Sequence, residues 1–90
     1  MAQTPPLEDL VDFPTAFTFR VVAKASAELE GQVRTIVEHS LNRPLLQIGA
    51  QESSGGKFLS VRATVTVVNA DEIRGTYEAL QTVEHLKMLL

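Results

Sequence analysis

KFLSVRATVTVV, Lys57 to Val68, is the stretch that decides the fold. Leu59, Val61, Ala63, Val65 and Val67 take alternate positions, with Phe58, Ser60, Arg62, Thr64 and Thr66 between them. Successive side chains of a strand point to opposite faces, so this period of two predicts a strand with one apolar and one polar side. Valine and threonine also fit a pleated, half-buried surface.

The residues just before it, Ser53-Ser54-Gly55-Gly56-Lys57, invite a phosphate-loop reading. A phosphate loop, however, leads into a helix N-terminus, where free backbone N–H groups meet the anion. This one leads into a strand, and Lys57 is followed by Phe58 rather than by serine or threonine. LLQIGAQE, residues 45–52, reads as a short strand on the other side. The glycines are therefore expected in a hairpin connection, with positive φ.

Further upstream, AFTFRVVAK alternates Phe17, Phe19 and Val21 against Thr18, Arg20 and Val22, the pattern of another one-sided strand. Phe13 and Phe17 are expected to be mostly buried. Ser26 offers an N-cap to AELEGQVRTIVEHSL, where Leu29, Val33, Ile36, Val37 and Leu41 share a helical face. Asn42 to Pro44 ends that helix. Downstream of the central strand, Asn69 with Glu72 forms a capping box for a helix with an Ile73, Tyr77 and Leu80 stripe. VEHLKMLL closes the chain as a strand, with Leu86, Met88 and Leu90 alternating against His85, Lys87 and Leu89. Met1 to Pro6 is expected to be a mobile leader, and Leu7, Leu10 and Val11 an amphipathic turn ending before Phe13-Pro14.

The order β-α-β-β-α-β predicts an α+β, ferredoxin-like sandwich: a four-stranded antiparallel sheet, order 4-1-3-2, with two helices on one face. One domain is expected to span residues 1–90. The 90 residues are 44% hydrophobic and 21% charged, which suits a folded globular chain and excludes a disordered one. There is no cysteine, so disulfides and thiolate metal sites are excluded. Neither a signal peptide nor a membrane span is legible, and a cytoplasmic protein is expected. The net charge of −3 gives no global attraction to nucleic acid or anionic lipid.

Candidate chemistry is sparse. Two histidines, His39 and His85, cannot complete a zinc site. Ser40 beside His39 points about 100° away on a helix, so no nucleophile–base pair forms. No catalytic residue, metal site or cofactor is expected. The uncovered side of the sheet is more informative. If Phe17, Phe19 and the Leu59 series face the helices, Thr18, Arg20, Lys24, Ser60, Arg62, Thr64, Thr66, His85 and Lys87 share the other side. Val22, Phe58 and Leu89 lie among them. Arg20, Lys24, Arg62, Lys87 and Phe58 form the candidate interaction face.

DFPTAFTFRVVAKA, ESSGGKFLSVRATVTV and TYEALQTVEHLKMLL together resemble the YbeD-like family of small uncharacterised bacterial proteins, over about Leu7 to Leu90. The shared features are Phe-Pro-Thr-x-Phe entering the first strand, a Ser-Ser-x-Gly-type hairpin, and a Tyr-Glu-x-Leu helix before a strand ending in Met-x-Leu. The resemblance implies an ACT-like form of the ferredoxin-like fold. ACT regulatory domains bind small effectors, usually at interfaces between domains. It implies no known activity and carries over no catalytic residue. The glycine that ACT domains usually place after the first strand has no counterpart in Lys24-Ala25-Ser26.

The expected function is a non-enzymatic regulatory or adaptor domain that binds a protein partner or small effector, with a homodimer among the expected assemblies. The alternative is nucleic-acid or polyanion binding through the basic sheet face, which is disfavoured because a sheet-face RNA reader stacks bases on aromatics of its central strands. No membrane partner is expected.

Overall fold

The computed structural model describes residues 12–90. The expected leader at Met1–Pro6 and the amphipathic turn at Leu7, Leu10 and Val11 lie outside the described residues. Six elements follow in the expected order: β1 (Thr15–Lys24), α1 (Leu29–Leu41), β2 (Gln47–Glu52), β3 (Phe58–Val67), α2 (Ala70–Leu80) and β4 (Leu86–Leu89). The sheet order is β2-β3-β1-β4, with every neighbouring pair antiparallel. This is the ferredoxin-like arrangement.

Alternation along β1 and β3 sets the two faces. Phe19, Val21, Ala23, Val61, Ala63, Val65 and Val67 are fully buried and pack on Leu29, Val33 and Val37 of α1 and Leu80 of α2. The two helices meet through Ser40 Oγ and the buried Thr76 Oγ1, 3.2 Å apart, so the polar residue on the inner side of α2 is satisfied. Tyr77, one position on, is only partly buried; it packs its ring 5.1 Å from Phe19 and 6.3 Å from Phe17. Burial holds its phenol above the ordinary tyrosine pKa.

The hairpin between β2 and β3 is tight. Gly56 N–H donates to Ser53 C=O at 2.9 Å, and Phe58 N–H donates to Ser53 Oγ at 3.0 Å. Gly55 and Gly56 have φ of 87° and 71°, in the region that disfavours residues with a side chain.

Two expectations need correction. Ser26 does not cap α1 through its hydroxyl; the cap residue is Glu28, without a side-chain hydrogen bond, and Ser26 contributes only its carbonyl, 3.5 Å from Leu29 N. The tail of Ala25 to Ala27 is used to leave the sheet, so the helix begins two residues later. Phe13 and Phe17 are mostly buried, as expected, and pack against the edge of the core, whose centre is Phe19. Finally, β4 does not alternate simply. Ala23 pairs with Leu86 but Val22 with Met88, so Lys87 is an extra residue opposite one step of β1. This β-bulge shifts the phase: Leu86 and Leu89 pack against the core, while Met88 and Leu90 are 43% and 51% exposed.

Candidate interaction face

Among the described residues, no helix lies over one side of the sheet, and strand register decides which side chains share it. Arg20 stands directly opposite Arg62, Val22 opposite Ser60, and Lys24 opposite Phe58. On the other edge of β1, Val22 is opposite Met88. Arg20 also exchanges both of its backbone hydrogen bonds with Leu90, at 3.0 and 2.8 Å, which sets Leu90 beside it.

The five expected interaction residues are all on this face. Lys87 Nζ lies 3.9 Å from the centroid of the Phe58 ring, a cation–π contact. Arg20 Nε donates to Ser60 Oγ at 3.0 Å, and Arg62 Nη2 donates to Gln51 Oε1 at 3.3 Å. Lys24 is exposed at the end of β1, and its ammonium has no partner among the described residues. None of the four cations is paired with a carboxylate among the described residues. Neutral groups of the same face partner three of them. Leu89 was expected here; the bulge sends it to the core and puts Met88 in its place.

The face divides into two halves. Towards β4 lie Val22, Phe58, Met88 and Leu90, apolar, with Arg20, Lys24 and Lys87 around them. Towards β2 the lining turns polar, with Thr18, Gln47, Gly49, Gln51, Arg62 and Thr64 around a hollow of about 370 Å³. Thr18 Oγ1 and Thr64 Oγ1 share a hydrogen bond at 2.8 Å on its floor. Between the halves a shallower hollow of about 260 Å³ runs past Val22, Phe58 and Ser60 to Glu52 at the hairpin end. Gly49, Gln47 and Gln51 were not singled out in the sequence, because a glycine within a strand declares itself only when its cross-strand neighbour is known.

The acids lie mainly on the helical side. There Arg43 grips Glu72 bidentately, Nη1 to Oε1 at 2.7 Å and Nη2 to Oε2 at 2.8 Å, and donates to Thr66 C=O at 2.7 Å. Glu72 also accepts from Val68 N–H at 2.8 Å, and Asn69 Oδ1 accepts from Glu72 N–H at 2.9 Å, completing the expected cap of α2. The hydrogen bonds from Arg43 hold the Glu72 carboxyl below the usual carboxylate range, against the opposing effect of partial burial. The Glu72 side chain in turn raises the Arg43 guanidinium. This pair ties the end of α1 to the start of α2 and is structural.

Ser40 faces Thr76, not His39. Among the described residues, no three His, Asp or Glu side chains gather as metal ligands would. Among them also, no helix is long and apolar enough to cross a membrane.

Comparison with known proteins agrees with this architecture. The family described as "Protein of unknown function (DUF493)" matches residues 8–90. The chain belongs to the DUF493 family. Curated relatives include UPF0250 proteins of Yersinia pestis and Yersinia pseudotuberculosis, each 34% identical over 85 residues, covering 93% of this chain and 95% of theirs. The resemblance to small bacterial proteins therefore holds. The solution structure of HP0495 from H. pylori superposes with a TM-score of 0.77 at 16% identity, over 100% of this chain and 98% of that one. The ACT domain from GTP pyrophosphokinase of Chlorobium tepidum does so with a TM-score of 0.67 at 14% identity, over 84% and 83%. At these identities the likeness is one of fold, and it supports the ACT-like form of the DUF493 chain.

Proposed function

We propose that this DUF493 protein is a non-enzymatic regulatory or adaptor module of the cytoplasm that binds an acidic partner protein through the uncovered sheet face. The observation that carries this reading is the apolar set of exposed Met88 and Leu90 with partly buried Val22 and Phe58, lying among Arg20, Lys24 and Lys87. Apolar and aromatic anchors ringed by charges of one sign are what a partner surface of opposite charge recognises: burial of the anchors supplies affinity and the rim supplies orientation. Among the described residues, no carboxylate at the strand positions of this face compensates that charge.

Protein suits the face better than nucleic acid. Single strands bind by stacking bases on aromatic rings. Phe58 is the one aromatic at a strand position of this face among the described residues, and Lys87 already covers it at 3.9 Å.

The test is affinity capture from lysate with the wild type and with an R20E/K24E/K87E variant, with and without nuclease. The expected result is a nuclease-resistant acidic protein retained by the wild type, lost with the variant, and cross-linked to residues around Phe58. Retention by both forms, or loss of the captured material on nuclease treatment, overturns the reading.

A further inference from the structure

Gly49 sits in the middle of β2, directly opposite Arg62, on the uncovered face. Nothing local requires glycine there. Its φ lies outside the left-handed region, and a Cβ built on it would meet no atom within 4 Å. A glycine inside a strand weakens it and often marks a place where something approaches the backbone. What the missing side chain creates is the hollow of about 370 Å³ beside Arg62.

The chemistry around that hollow is consistent. Gln47 and Gln51 lie two residues to either side of Gly49 on the same face, about 13 Å apart along the strand. The bond to Gln51 Oε1, at 3.3 Å, steers the Arg62 guanidinium towards β2 and uses one of its five donors. The Thr18–Thr64 pair shares one hydroxyl hydrogen at 2.8 Å, so the second is left to donate. The Gln47 amide makes no hydrogen bond to another described residue. Among the described residues, no carboxylate lines the hollow. Arg20, directly across from Arg62, adds a second positive charge next door.

We infer that this hollow is a binding site for a small polar oxyanion, a metabolite-sized molecule whose carboxylate or phosphate docks on Arg62. Its hydroxyl or amide groups pair with Gln47 and the two threonines. Guanidinium matches either oxyanion through parallel N–H donors, and the volume is that of a small-molecule site. The site is separate from the apolar stripe near β4, so it stands or falls independently of the partner reading.

The test is amide chemical-shift titration of the full chain with inorganic phosphate, citrate and glucose 6-phosphate, which separates the two oxyanion types, with glycerol as the uncharged control. The expected result is saturable shifts centred on Gly49, Arg62 and Thr64 for at least one anion at low millimolar concentration or below, and none for glycerol. Two variants keep the outcome clear. G49V fills the hollow with a residue suited to strands and without a steric conflict. It should therefore fold with an unchanged or higher Tm and bind at least tenfold more weakly. R62Q should lose binding to the same degree. No saturable shift with any anion, shifts spread over all the cationic residues, or undiminished binding by G49V would each overturn the site. Partner capture by G49V should remain at the wild-type level.

Discussion

Arg20 and Arg62 stand directly opposite each other across the two central strands. The backbone of Arg20 bonds to Leu90 on its other side, so towards β3 the two arginines form a non-hydrogen-bonded pair, the kind whose side chains approach most closely. Like charges placed so are destabilising by a few tenths to about 1 kcal/mol. Replacing Arg62 by threonine should then raise stability in urea by roughly that amount at low salt. In 1 M salt, where screening acts over about 3 Å, the gain should largely vanish. A loss of stability at low salt would show that the pair does not repel.

The aromatic residues of β1 differ in burial, and truncation should separate them. Phe19 is fully buried, so Phe19→Ala should cost about 3–5 kcal/mol in denaturant unfolding, the range for large core cavities. Phe17 lies 4.9 Å from it, ring to ring, but is only partly buried, at the edge of the core. Phe17→Ala should cost clearly less. Equal losses would contradict the placement of the core edge.

In the β2–β3 turn, alanine at Gly55 or Gly56 must adopt φ near 87° or 71°. Each substitution should lower stability by about 1–2 kcal/mol, the cost of left-handed backbone for a residue with a Cβ. At Gly56 the added Cβ would also come 3.4 Å from Glu52 Oε2, a tolerable contact. Thermal melts with no change in midpoint would rule out the turn geometry.

Glu72 makes acid stability a test of the α1–α2 tie. Its folded-state pKa is lowered, chiefly by hydrogen bonds from Arg43. The stability it contributes is therefore complete above the unfolded glutamate value near 4.3 and is lost as pH falls through the folded value. Between about pH 5 and 3 the wild type should lose stability more steeply than Glu72→Gln. Parallel curves would mean that the ion pair does not form in solution.

Much of this was legible before any coordinates. Strict alternation in β1 and β3 fixed both faces, because a one-residue slip would have buried Arg20 and Arg62. Arg20, Lys24, Phe58, Arg62 and Lys87 could be grouped on that basis alone. The last strand resisted: Leu86, Met88, Leu89 and Leu90 are all apolar, so no period is written there, and the bulge at Lys87 arises from pairing with β1. The start of α1 was misplaced for a similar reason, since Ser26 has capping chemistry but the chain is still leaving the sheet. Arg43 with Glu72 and Gly49 with Arg62 are contacts between residues 29 and 13 positions apart. Neither is encoded in local pattern.

The most direct measurement of the central claim, that the uncovered face is the working surface, is photo-crosslinking in cells. A photoreactive residue at Met88, on that face, is compared with one at Arg34, exposed on α1. The open-face reading requires discrete protein adducts from position 88, lost when Lys24 and Lys87 are changed to glutamate, and none from position 34. Adducts from position 34 alone, or adducts from position 88 that survive the charge reversal, would contradict it.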